Sequence, residues 1–205
     1  DEDTVTPRLS GSLKTYVRLW EDVSPANRAA RRYRLPILQT IHVAARDVGV
    51  KGLSMEVLGY SELDTIEPLT GDRGRGDLAL ANITYHGLAD RMLFVRLGRQ
   101  IVHGGAANNA IIDGLQVRVQ LPYNLFIEAW GGFTAEPAFT QTADQWQLGT
   151  RAAWNLFGIG HLALSFAHEE EGGEVAREVL GVEAAWRSLE WISIVGYLLL
   201  DTVEL

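Results

Sequence analysis

The stretch Ile112-Asp-Gly-Leu-Gln-Val-Arg-Val-Gln-Leu121 alternates apolar and polar residues with a period of two. Successive residues of an extended strand point to opposite faces. One face of this stretch is therefore apolar, through Leu115, Val117, Val119 and Leu121. The other face is polar, through Gly114, Gln116, Arg118 and Gln120. The pattern predicts a strand with one face against an apolar medium and the other against water.

Ten further segments repeat this alternation, namely residues 9–20, 33–46, 52–60, 76–86, 92–101, 125–133, 146–156, 160–168, 178–186 and 191–200. A tilted strand needs about 9 to 11 residues to cross the hydrocarbon layer of a membrane. The segments therefore predict an all-β fold, an antiparallel transmembrane β-barrel meander of about 11 to 12 strands in one domain, residues 1–205. Because single-chain bacterial barrels have even strand numbers, we expect the chain to be the N-terminal portion of a larger barrel.

Connection lengths and aromatic positions predict the orientation of the strands. Short turns at 47–51, 87–90, 122–124, 157–158 and 187–190 alternate with long connections such as 61–75 and 169–177. Outer-membrane barrels have short periplasmic turns and long outer loops. Aromatic residues then gather at the periplasmic ends (Tyr85, Tyr123, Trp154, Phe157, Trp186, Trp191) and at the outer ends (Trp20, Tyr33, Tyr60, Phe133, Trp146). Such belts are typical of the two membrane interfaces.

Composition excludes several classes of protein. The formal net charge is −8, which argues against a nucleic-acid partner, since binding phosphates needs a basic stripe. The chain has no cysteine, so it has neither a disulfide framework nor a thiolate metal site. The five histidines show no metal-ligand spacing, and we predict no metal and no cofactor. Acidic runs such as 169–174 are interpreted as solvated loops.

The polar faces of the predicted strands share a set of charged residues, which we assign to the lumen of the barrel. The pore-lining candidates are Lys14, Arg18, Arg46, Glu56, Arg96, Gln100, Arg118, Glu128, Arg151 and Glu183. Six of them are basic and three are acidic, so the lumen is basic although the whole chain is acidic. Fixed positive charges along a water-filled passage favour anions. We therefore expect a channel for passive diffusion of small, preferentially anionic solutes, and not an enzyme.

Residues 95–119 carry a resemblance to known proteins. A strand ending in Leu97-Gly-Arg-Gln100, a Gly-rich loop, and a second strand opened by Asp113-Gly114 resemble the porin-like and alginate-export families of Gram-negative outer membranes. The resemblance implies a bacterial outer-membrane location and a loop that folds into the pore. It implies that His103, Asn108 and Asn109 form the constriction, beside Arg96, Arg99 and Arg118. The loop lacks the arginines and aromatic residues of alginate-export proteins, which argues against a uronate polymer.

The expected partners are outer-membrane lipid and small anionic solutes, and homo-oligomer formation is a further expectation. Two alternatives stay open. One is a structural or lipid-modifying outer-membrane barrel without an open pore. His161 and Ser165 resemble the His and Ser pair of outer-membrane phospholipases, but they lie about 13 Å apart along one strand, too far for a hydrogen bond. The other alternative is a soluble β-sheet binding protein, in which alternation arises because one face packs on a core.

Overall fold

A computed structural model describes residues 6–23, 31–34, 36–64, 74–88, 92–107, 109–135, 141–156, 159–189 and 192–203. Its strands are β1 (Arg8–Val17), β2 (Trp20–Val23), β3 (Arg31–Arg34), β4 (Pro36–Arg46), β5 (Leu53–Asp64), β6 (Gly74–Leu88), β7 (Leu93–Val102), β8 (Ala110–Gln120), β9 (Leu125–Ala135), β10 (Gln141–Leu156), β11 (Gly160–Glu171), β12 (Glu174–Leu189) and β13 (Ile192–Asp201). Two single 3₁₀ turns, Gly105–Ala107 and Pro122–Asn124, complete the described elements. No helix among these residues is long and apolar enough to cross a membrane.

Eleven strands form one antiparallel meander in the order β1-β4-β5-β6-β7-β8-β9-β10-β11-β12-β13, and β2 pairs with β3 in a separate hairpin. The predicted all-β meander is thus confirmed. Strands β1 and β13 are the two edges of the sheet, which is open between them and compatible with part of a barrel. Each strand of this sheet pairs antiparallel with the strand that follows it in this order, whether the connection is a short turn or a longer segment.

The connection between β11 and β12 differs from the predicted long loop. Glu171 pairs with Glu174, and only Gly172 and Gly173 lie between the strands. Both glycines have positive φ, 61° and 84°, which a two-residue hairpin turn of type I′ requires. The interpretation of the run 169–174 as a loop was wrong, because β11 continues to Glu171 and β12 begins at Glu174. Three successive glutamates, 169 to 171, hide the period-two alternation by which the end of β11 could be recognised in the sequence.

The sheet curves around the loop that follows β7. The Ala106 N–H donates a hydrogen bond of 2.8 Å to Ser165 Oγ, although β8, β9 and β10 lie between β7 and β11. On a flat sheet with strands about 4.8 Å apart, β11 would be about 19 Å from β7. The four residue steps from Val102 to Ala106 span at most about 14 Å when fully extended. Because these steps include a 3₁₀ turn and reach less, the strands must bend towards the loop.

The face on the inside of this bend is called the concave face, and the opposite one the convex face. The buried apolar cluster lies where the loop meets the concave face, and it comprises Val102, Ala106, Ala107, Ile112, Trp130, Ala167 and Val179. Large apolar side chains on the convex face are exposed, with Leu97 and Leu164 each 59% exposed. The burial pattern therefore reverses that of a sheet with an apolar core and a polar surface.

Candidate functional site

Strand register places nine of the ten pore-lining candidates on the concave face. They are Lys14, Arg46, Glu56, Arg96, Gln100, Arg118, Glu128, Arg151 and Glu183. Arg18 follows the last residue of β1 and has no position in the sheet register. Their placement on one face fits a lining role, which stays a prediction. Asn108 lies outside the described residues.

Charges alternate along one row across β8, β9 and β10. Arg118 is paired in register with Glu128, and Glu128 with Arg151. Arg118 Nε donates to Glu128 Oε2 over 2.6 Å, and Arg118 Nη2 also contacts that oxygen. Glu128 is only 1% exposed, so the contact with this guanidinium group offsets the cost of removing the carboxylate from water.

A second ion pair continues this network towards β12. Arg151 Nη2 donates to Glu183 Oε2 over 2.8 Å, with side-chain exposures of 12% and 8%. The other oxygen of Glu183 lies 2.9 Å from His161 Nε2. Both oxygens of this buried carboxylate are therefore partnered, which offsets the cost of removing it from water.

Phenylalanine rings separate the guanidinium groups. Arg118 lies 5.5 Å from the centroid of Phe94 and 4.9 Å from that of Phe126. Arg96 lies 5.1 Å from Phe94, and Arg151 lies 5.5 Å from Phe126. Such cation–π contacts restrict each guanidinium plane while its N–H edges stay free to donate. Neither ring was predicted from the sequence to belong to the site, although each is two residues from a charged concave residue and so on the same face.

Arg96 differs from the other two arginines because its described partners are uncharged. Its Nε donates to Thr84 Oγ1 over 3.2 Å, and its Nη1 donates to Gln116 Oε1 over 3.5 Å. Within the part of the chain that the structure describes, no carboxylate pairs with it. The positive charge of Arg96 is thus uncompensated by an ion pair, and it faces the same side as Glu56, whose carboxylate contacts His42 at 2.9 Å.

The loop after β7 lies against the concave face of β10, β11 and β12. Its seat is made by Ser165, whose Oγ accepts from the Ala106 N–H at 2.8 Å and lies 3.4 Å from the Gly181 carbonyl oxygen. Gly105 has φ +57°, and a Cβ there would fall 2.2 Å from Ser165 Oγ. A side chain at this position would therefore displace the loop.

The loop also covers the ion pair of Arg151 and Glu183. A Cβ at Gly104 would lie 3.1 Å from Arg151 Cζ and 3.4 Å from Glu183 Oε2. Of the predicted constriction residues, His103 and Asn109 contact each other, with Nδ1 and Oδ1 2.9 Å apart, and both are exposed. The alanines of the 3₁₀ turn, rather than His103 and Asn109, make the buried contacts with the sheet.

Arg99 does not belong to this wall. Arg99 is three residues from Arg96 on β7, so the two side chains lie on opposite faces, and Arg99 shares the convex face with Leu97. Its Nη2 donates to Asp113 Oδ2 over 2.6 Å, and its Nη1 lies 3.2 Å from Asp77 Oδ1. The expectation that Arg99 lines the wall beside the loop was wrong, because one residue step along a strand reverses the face.

Ser165 and His161 are engaged separately, Ser165 with the loop and His161 with Glu183. The described residues contain no cluster of three or more His, Asp or Glu side chains that could hold a metal ion. In comparisons with known proteins, no family model matches the chain and no curated protein matches it significantly. The functional interpretation therefore depends on the geometry of the sheet.

Proposed function

We propose that this chain forms the wall of an outer-membrane channel that lets small anions diffuse passively. One observation carries the proposal: the middle of the convex face of the curved sheet is a mainly apolar, exposed band, whereas the concave face holds the buried pairs of arginine and glutamate. Water-soluble sheets bury their apolar face, while membrane barrels expose it to lipid and turn the polar face to the lumen.

The height of the band on β10 is within about 5 Å of the apolar band of outer-membrane barrels. Trp146 and Trp154 both lie on the convex face, and the convex residues between them are Leu148, Thr150 and Ala152. Eight residue steps span about 26 Å along the strand, or about 20 Å across a membrane at a tilt of about 40°. The apolar band of outer-membrane barrels is about 25 Å tall.

The same band continues on the neighbouring strands. On the convex face between the two tryptophan levels lie Leu93, Val95 and Leu97 of β7, Leu115, Val117 and Val119 of β8, Ile127 and Ala129 of β9, Leu162, Leu164 and Phe166 of β11, and Leu180, Val182 and Ala184 of β12. None of these residues is polar, and the polar residues of the same face at these levels are Thr150 of β10 and, at the level of Leu148, His168 of β11 and Glu178 of β12. Burying this area in lipid offers the largest favourable term available to the sheet.

Polar groups on the convex face stand at the upper limit of this band. Arg99, Asp113, Phe133, Trp146 and Glu170 form one row across five strands. Trp146 Nε1 donates to Glu170 Oε2 over 2.8 Å. Mixed aromatic and charged side chains of this kind fit the level of lipid headgroups.

The lower limit of the band carries exposed aromatic residues. Trp154 and Trp186 are both exposed on the convex face, and Trp154 Nε1 donates to the Tyr123 carbonyl oxygen over 3.0 Å. Tyr60, by contrast, is in register with Thr40 and Lys14 on the concave face, so it does not belong to a lipid-facing belt. The side chains of Trp20, Tyr33, Phe157 and Trp191 lie outside the described part of the chain.

Anion preference is supported by the balance of charges on the concave face. The carboxylates of Glu128 and Glu183 are each paired with an arginine. Arg46 and Arg96 have no carboxylate partner among the described residues, and these two cations outnumber the remaining carboxylate of the pore-lining candidates, Glu56, which contacts His42. Fixed positive charges of this kind raise the local concentration of anions along a confined path.

Reconstitution in planar bilayers tests the proposed function. In a KCl gradient, the reversal potential should indicate chloride over potassium, and Arg96→Glu should shift it towards potassium. Lys51→Glu is the control, because Lys51 is exposed in the turn between β4 and β5, in bulk electrolyte where screening acts within about 8 to 10 Å. Potassium preference in the unmodified channel, or equal shifts for both variants, would contradict the anion preference.

A structural barrel without a passage is the second candidate. The two buried ion pairs and the seated loop favour it, since both fill space on the concave face. Small barrels are filled by their own side chains, whereas larger barrels enclose channels. Folded, membrane-inserted protein with no measurable conductance would support this candidate against the channel.

A further inference from the structure

A cavity of about 450 Å³ opens on the concave face of β4, β5, β6 and β7. It lies at the end of the sheet where the turn between β4 and β5 closes, and residues of that turn line its rim. Its charged and titratable lining comprises His42, Arg46, Asp47, Glu56, His86 and Arg96. The seated loop after β7 contributes no residue to it, so the cavity is distinct from that constriction.

One row of residues across the four strands explains the cavity. Arg46, Ser54, Thr84 and Arg96 are in register, so two large cationic side chains stand at the ends and two small hydroxyl side chains stand between them. Three strand spacings of about 4.8 Å separate the Cα atoms of the two arginines by about 14 Å. Because the side chains of Ser54 and Thr84 are small, an open space remains between the two arginine side chains.

The carboxylates in this lining already have partners. Glu56 Oε1 lies 2.9 Å from His42 Nε2, and Asp47 Oδ1 accepts the Gly52 N–H over 2.9 Å. Arg46 makes no hydrogen bond or ion pair with any described residue. Arg96 is held only by uncharged groups. Neither Arg46 nor Arg96 thus forms an ion pair with a described carboxylate, although the carboxylates of Glu56 and Asp47 stand in the same lining.

We propose that this cavity binds a small dicarboxylate, with one carboxylate at Arg96 and the other at Arg46. The inference rests on the proposed function, since it makes the cavity a binding site along the path that anions take through the channel. Two separated cations are matched by two separated negative charges, and a guanidinium group recognises a carboxylate through paired N–H donors. A single compact anion could neutralise only one of the two arginines.

The surroundings of Arg96 prepare it for this contact. Thr84 and Gln116 accept from its Nε and Nη1, while the ring of Phe94 lies 5.1 Å from its Cζ. These contacts hold the guanidinium plane, so less conformational entropy is lost when a carboxylate binds.

The test is binding of succinate to the folded protein in detergent, measured by isothermal titration calorimetry without any membrane or conductance. Succinate should bind saturably. Butyrate, which has one carboxylate, should bind with an affinity lower by at least about ten-fold, because one charge-assisted contact is lost. Arg46→Gln and Arg96→Gln should each weaken succinate binding by about the same factor. Arg177→Gln is the matched control, since Arg177 lies on β12, outside the cavity.

The outcomes separate this inference from the proposed function. Absence of saturable succinate binding, or equal weakening by Arg177→Gln, would overturn the inference even if the channel prefers chloride in KCl. Tighter binding of inorganic phosphate than of succinate would also overturn it, because a compact anion would then be the better ligand. Saturable binding that depends on both arginines, in protein without conductance, would support the site while contradicting the channel.

Discussion

Substituting Glu183 by alanine is expected to lower the free energy of unfolding by roughly 3 to 5 kcal/mol, because a buried charge loses its partner. Glu183 receives Arg151 at 2.8 Å and His161 at 2.9 Å, and the Arg151 side chain is only 12% exposed. Without the carboxylate, the cation stays buried beneath the loop and loses its ion-pair partner. Urea unfolding of the protein in lipid vesicles, followed by tryptophan fluorescence, measures the change.

Glu174→Ala is the control for this substitution. Glu174 is exposed at the start of β12, so the same loss of a carboxylate should change the free energy of unfolding by less than about 0.5 kcal/mol. Equal effects of the two variants would mean that water reaches the Arg151–Glu183 pair freely. The network on the concave face would then not be buried as described.

Substituting Gly105 by valine is expected to release the loop after β7 and to raise the single-channel conductance roughly two-fold, since a constriction limits the path of ions. A Cβ at Gly105 would fall 2.2 Å from Ser165 Oγ, and a β-branched residue is strained at its φ of +57°. The loop therefore cannot keep its hydrogen bond to Ser165. Conductance in symmetric KCl is the measurement.

Gly172→Val separates loop release from backbone strain. Gly172 has a similar φ of +61°, but a Cβ there would have no atom within 4 Å, and the residue sits in the hairpin between β11 and β12. This variant should keep the conductance of the unmodified protein. A Gly105→Val channel with unchanged conductance would show that the loop does not narrow the path.

The strands were predictable because membrane-type alternation is a local signal. The predicted segments 112–121 and 125–133 correspond to β8 (Ala110–Gln120) and β9 (Leu125–Ala135), with small differences at their ends. Alternation also predicts the correct face of Arg99, because it lies an odd number of steps, three, from Arg96, although the resemblance to porin-like proteins suggested otherwise. The face on which a strand residue lies is thus predicted better by its position in the period-two alternation than by the motif that surrounds it in the sequence.

The pairing of charges could not be predicted, because it depends on register. Glu128 stands between Arg118 and Arg151 only when three strands are aligned, and an alignment shifted by one residue would move each side chain to the other face. The seat of the loop on Ser165 likewise depends on the curvature of the sheet. The sequence indicates which residues share a face, whereas the structure indicates that Arg96 lacks a carboxylate partner among the described residues.

The most direct measurement of the central claim is the lipid exposure of the convex face. Because the chain has no cysteine, a nitroxide at Leu164→Cys is unique, and its collision rates with oxygen and with a water-soluble nickel chelate are measured in lipid vesicles. Glu171→Cys, beyond the row of Trp146, is the control. We expect oxygen to dominate at position 164 and the nickel chelate at position 171. Dominance of the nickel chelate at position 164 would contradict the assignment of this face to the membrane.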